Sequence, residues 1–143
     1  MIDPDKSSRK TSSEIDWTLP AVAFLFCEGI GVLIWWTILI LVPNSRAGFK
    51  ASGAPDSTLL AFAGADLVFF IGASLGAAFG LWRRRDWAWP ILCLHTGAGV
   101  YAALYCLGLF MLSGGAWLAA VLMAPSLFAL PFFTWQLRPD YWK

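Results

Sequence analysis

Three side chains in this sequence are chemically out of place. Glu28 sits in FLFCEGIGVLIWW, Asp66 in FAGADLVFF and His95 in LCLHTGAG, each inside a stretch with no other charged residue. His95 is the only histidine of the chain. A carboxyl group and an imidazole can exchange a proton, because burial moves an acid towards the range in which histidine titrates. The same groups can hold the polar end of an otherwise apolar ligand. Glu28, His95 and Asp66 are therefore the candidate catalytic set, with Glu28 and His95 passing the proton and Asp66 orienting or balancing charge. Carboxylate, imidazole and thiolate are also zinc ligands. With one histidine and no paired-cysteine spacing, however, no metal and no cofactor are expected.

Those residues must be positioned by unusual elements, because the chain is 59% hydrophobic and only 13% charged. Charges crowd into the first 16 residues, the stretch 44–56, the run 83–86 and the last six residues. Between them lie four apolar segments, about 19–42, 57–81, 87–112 and 114–137. Each exceeds the ~20 residues that cross a ~30 Å hydrocarbon layer as a helix. Since lipid leaves no partner for an open backbone, such segments are helical. The expected fold class is all-α: a four-transmembrane-helix bundle with short loops, covering residues 18–143, behind a disordered serine-rich cytoplasmic tail, 1–17. The 14-residue connector PNSRAGFKASGAPD is expected to be irregular.

Lysine and arginine set the expected orientation. Lys6, Arg9, Lys10, Arg83, Arg84, Arg85, Arg138 and Lys143 fall on one side if the helices alternate, against Arg46 and Lys50 on the other. The positive-inside rule then puts both termini in the cytoplasm, as in a bacterial inner-membrane protein. Trp17, Trp82, Trp87, Trp89, Trp135 and Trp142 gather at that face as an aromatic belt. The three consecutive arginines serve topology and lipid head groups, and nothing in the charge balance points to nucleic acid. Cys27, Cys93 and Cys106 are expected to pack as small hydrophobes.

Counting along the helices puts Glu28 and Asp66 each roughly 13 Å, and His95 roughly 12 Å, inside the membrane from its nearer face. A charge there costs about 2.5–3.5 kcal/mol on insertion scales, so all three should face inward and pair. Helical periodicity adds Gly31 and Trp35 to the Glu28 stripe and Gly99 to the His95 stripe, with Tyr101 and Tyr105 alongside and Ser126 on the last helix. Those six are the candidate ligand-binding residues. Gly72, Gly76 and Gly80 repeat at the four-residue spacing that lets helices approach closely, so they are read as packing residues. Pro125 and Pro131 bend the fourth helix.

Short loops exclude a soluble domain, and no phosphate-cradling or dinucleotide motif is present. The leading functional expectation is an intramembrane polar site that binds or protonates an apolar or lipid-like ligand. In layout (four spans, intramembrane acids, one histidine, tryptophans) the chain is similar to emopamil-binding-type sterol isomerases. A second expectation is a non-catalytic subunit or assembly factor of a larger membrane complex, or a homo-oligomer. A third is a proton-coupled exporter, since Glu28 in the first of four spans resembles the plan of small multidrug-resistance transporters. Asp66 and His95 have no counterpart in that plan, and the lysine and arginine bias argues against its dual topology.

Overall fold

A computed structural model describes residues 16–138. Most of the tail expected to be disordered, together with residues 139–143, lies outside the described residues. Four long helices account for most of the described chain: α1 (Thr18–Leu41), α2 (Asp56–Trp82), α3 (Ala88–Ser113) and α4 (Trp117–Gln136). All four are long and apolar enough to cross a membrane, and no strand occurs among the described residues. The protein is an all-helical, multi-pass membrane protein. Its outward-turned side chains suit lipid: Met111, Leu112 and Phe128 are 75%, 92% and 72% exposed. Water would penalise such a surface, whereas hydrocarbon does not.

Helix bounds depart from the sequence expectation mainly at α4. The apolar run begins at Gly114, yet α4 begins at Trp117, because Gly114 (φ 65°) and Ala116 (φ 56°) both adopt left-handed backbone conformations. Gly114 closes α3, its N–H donating to the Phe110 carbonyl, as left-handed glycine caps commonly do. Between α2 and α3 the same role falls to Arg84 (φ 51°), and the Arg85 N–H reaches back to the Gly80 carbonyl at 2.9 Å.

The long connector is more ordered than its proline and glycine content suggests. Pro43–Phe49 forms a 3₁₀ helix, and Arg46 explains why. Its Nε donates to the Leu39 carbonyl at 2.7 Å, one of the carbonyls left open at the end of α1, while its Nη1 pairs with Asp56 at 3.0 Å. Lys50 reaches the other Asp56 oxygen at 2.5 Å. One arginine therefore closes α1 and anchors the start of α2. The connector then lies over the α3–α4 turn, where a Cβ on Gly115 would come within 2.6 Å of the Lys50 carbonyl oxygen.

α1 packs on α2, α2 on α3 and α3 on α4, while Trp17–Phe132 and Phe24–Phe133 bring α1 to α4, with ring centroids 5.0 and 5.6 Å apart. Two apolar clusters fill the interior. Val32, Trp36, Leu39, Leu59, Phe70 and Ile71 form one, and Leu25, Ala77, Ala78, Leu92 and Leu130 form the other. Close approach depends on glycines other than the full ladder read from the sequence. Gly80 meets Trp87 and Ala88, but a Cβ on Gly76 would make only ordinary contact with Ile91, and Gly72 faces its own helix. Other tight positions include Gly29, where a Cβ would lie 2.5 Å from Ser74 Oγ, and Gly99, where it would run into Leu130.

Gly29 and Gly31 therefore make a paired test, since a Cβ at Gly31 has nothing within 4 Å. Gly29→Val should destabilise the protein by about 1–3 kcal/mol through overpacking, while Gly31→Val stays within about 0.5 kcal/mol of wild type. Unfolding in mixed detergent micelles measures both, and equal losses would contradict this packing.

Candidate functional site

The site begins with a defect in α2. After Asp66 the helix widens into a π segment, Leu67–Gly72, before resuming as α-helix at Ala73. Such widening shifts the backbone pairing pattern and leaves carbonyls for other donors. Ser74, fully buried, donates to the Phe70 carbonyl and also lies 3.3 Å from that of Ile71. The Phe69 carbonyl is taken from outside the helix, by His95 Nδ1 of α3 at 2.8 Å.

That contact fixes the imidazole. A carbonyl only accepts, so Nδ1 carries a hydrogen and Nε2 is the atom whose partner must be settled. Nε2 lies 2.8 Å from Glu28 Oε2 of α1. The other carboxyl oxygen, Oε1, accepts from the Ser126 hydroxyl of α4 at 2.5 Å. One proton lies between Glu28 and His95: a carboxylic acid donates to neutral imidazole, or imidazolium donates to carboxylate. His95 is 0% exposed, the Glu28 side chain 7%, and Phe70 packs edge-on against the ring at 5.6 Å. Each of the four helices thus contributes one group to a single buried hydrogen-bonded chain.

Asp66 does not join this group. It accepts from Trp36 Nε1 at 3.0 Å, a separate α1–α2 link. The sequence reading set Trp35 on the Glu28 stripe, but the neighbouring Trp36 is the more buried indole and supplies this donor. Trp35 packs between Trp36 and Phe49, with centroids at 5.1 and 5.3 Å, and its buried Nε1 has no acceptor among the described residues. Gly99 leaves no room beside His95, since Leu130 fills the space. Tyr101 is 69% exposed and stacks on Tyr105 at 6.5 Å, so both tyrosines lie on the outer surface rather than beside His95. Ser126 is the one member of the proposed ligand set that touches Glu28.

No three potential metal ligands cluster among the described residues. The cysteines are less enclosed than expected: Cys27 is exposed, Cys93 and Cys106 are half-buried, and all three are free thiols. A thiol turned towards lipid meets no unfavourable surroundings, which accounts for the difference. Two open clefts lie elsewhere. One is lined by Asp16, Thr18, Leu81, Arg84, Arg85 and Leu137, the other by Trp89, Thr96, Pro131, Thr134, Trp135 and Arg138. Sequence reasoning missed Trp36, Ser74 and the Phe69 carbonyl. Trp36 lies eight residues beyond Glu28, a spacing that a broader inward arc would have included, whereas no side-chain pattern announces a free backbone carbonyl.

Compared with known proteins, the chain matches no protein family, no curated protein and no solved structure. Function must therefore be argued from the geometry alone.

The hydrogen-bonded chain sets an order for variants of Glu28. Glu28→Gln can still accept from Ser126 and donate to His95, and should lie within about 1 kcal/mol of wild type. Glu28→Leu strands both Ser126 and His95 Nε2, each costing about 1–3 kcal/mol when buried without a partner. Denaturant titration in micelles should rank Glu28→Leu well below Glu28→Gln; the reverse order rejects the assignment.

Proposed function

We propose that this chain is a non-catalytic component of the membrane, a subunit or assembly factor that works through its outward-facing surfaces. The Glu28–His95–Ser126 group then acts as the internal tie of a four-helix bundle. One observation carries the reading: both imidazole nitrogens and both carboxyl oxygens already have partners, with His95 fully buried and only 7% of the Glu28 side chain exposed. A residue poised to act on a ligand keeps an open face towards it, as general acids and bases must reach the proton they transfer. The broad apolar exterior of α3 and α4 suits docking of partner helices. Following the lysine and arginine bias, both termini lie in the cytoplasm of a bacterial-type inner membrane.

A single experiment addresses partner and orientation together. The full chain carrying a C-terminal green fluorescent protein should fluoresce in a bacterial host, because that tag fails to mature when exported unfolded. Affinity purification from native membranes in mild detergent should then recover a partner membrane protein at fixed stoichiometry. Recovery of the chain alone, as monomer or homo-oligomer, argues against the subunit reading.

A second reading, an apolar ligand bearing one oxygen acceptor, is favoured by the buried, unpaired Nε1 of Trp35 beside Trp36 and Phe49. In this reading Trp35 provides the donor, Asp66 holds Trp36 in place, and the Glu28–His95 pair lies deeper as a proton store. Trp35→Phe separates the two. If the N–H is simply unpaired, the variant gains about 1 kcal/mol of stability, since an unsatisfied buried donor is removed. Loss of a lipid-like compound from solvent extracts of the purified variant, with stability falling, favours the ligand.

A further inference from the structure

The cleft between α3 and α4 has a composition that neither reading of the buried group uses. Trp89 and Thr96 stand seven residues apart on α3, and Pro131, Thr134, Trp135 and Arg138 follow helical spacing along and just beyond α4. They line an open groove of about 340 Å³ at the end of the molecule where α3 begins and α4 ends. Its floor offers little polar surface, with the Thr96 and Thr134 hydroxyls bonded to each other at 2.6 Å. Trp89 Nε1 donates to the Thr134 carbonyl at 3.4 Å, which holds one indole wall against α4. Trp135, 64% exposed, forms the opposite wall.

Arg138 sits at the mouth. Its guanidinium lies 4.1 Å from the Trp135 ring centroid, a cation–π contact that orients the group without consuming its hydrogen-bond donors. Among the described residues, no carboxylate is within ion-pair distance of it. An apolar trough opening onto hydrocarbon is filled by whatever surrounds it, and in a bilayer that is an acyl chain. Tryptophans mark the level of the head groups. A cation at that level attracts anionic lipid.

We propose that the α3–α4 cleft is a binding site for an anionic phospholipid of the surrounding bilayer. One acyl chain lies along Thr96, Pro131 and Thr134 between the two indoles, and the phosphate meets the Arg138 guanidinium. Arginine suits the phosphate because its planar fork can donate two hydrogen bonds to it. The site depends on the helices and on Arg138, and stands whether or not the chain has a protein partner or an internal ligand.

Native mass spectrometry of the full chain in detergent, titrated with phosphatidylglycerol or phosphatidylcholine, tests this. Wild type should retain phosphatidylglycerol about five-fold better, the scale of one basic residue at a membrane surface. Arg138→Gln should bring the two lipids level, and Arg138→Lys should keep most of the preference. A photoreactive phosphatidylglycerol should attach to peptides around Trp89 and Trp135. Equal retention by wild type, an unchanged preference in Arg138→Gln, or attachment elsewhere overturns the proposal. So does a second copy of the chain cross-linked into the cleft in place of lipid.

Discussion

The contact between Glu28 and His95 constrains everything around it. A carboxyl group in a membrane helix has few acceptable surroundings, and its cost falls only when a partner is delivered to both oxygens. The delivery requires α3 to present His95 on one side and α4 to present Ser126 on the other, at 2.8 and 2.5 Å. His95 in turn needs an acceptor for Nδ1, and a neighbouring helix can supply one only where a backbone carbonyl with a free lone pair faces the ring. The Phe69 carbonyl, within the π segment of α2, meets that need. The irregularity in α2 and the acid in α1 are thus two parts of one arrangement.

Packing supports the same contact by steric means. Ser74 takes up the carbonyls of Phe70 and Ile71 in the widened segment, and the missing side chain of Gly29 lets α1 lie directly against Ser74. With α1 and α2 that close, Trp36 reaches Asp66 as well. Two acids in adjacent helices are therefore each given a donor from another helix, but by different routes and without meeting. Beyond the far end of α1, Arg46 performs a related task in the connector by tying open carbonyls of α1 to the first residue of α2.

Composition and length made the four spans legible in the sequence, because hydrocarbon thickness dictates how many apolar residues a helix needs. The inward placement of Glu28 and His95 was legible for the same reason: exposed to lipid, neither has a partner. The partner of Asp66 was less accessible. Trp35 and Trp36 are adjacent and about 100° apart on a helix. A stripe drawn through Glu28 passes near both, and only the depth of the α1–α2 approach decides which turns inward. That approach is set by Gly29, whose role depends on what α2 places opposite. Gly72 and Gly76 illustrate the converse, since a regular spacing on one helix says nothing about whether a neighbour uses it. The end of α3 shows a local limit too, where left-handed conformations at Gly114 and Ala116 delay α4 although the residues remain apolar.

Charge balance favours the proposed role of the buried pair as a tie over a role as a relay. With one proton between them, Glu28 and His95 are together uncharged wherever the proton rests. Either the acid and imidazole are both neutral, or carboxylate and imidazolium cancel. Moving the proton from oxygen to nitrogen therefore creates no net charge in the hydrocarbon. A relay needs a group that readily exchanges protons with its neighbours on two sides. Here His95 Nδ1 faces a backbone carbonyl, which neither gives nor keeps a proton, so the path ends at Phe69.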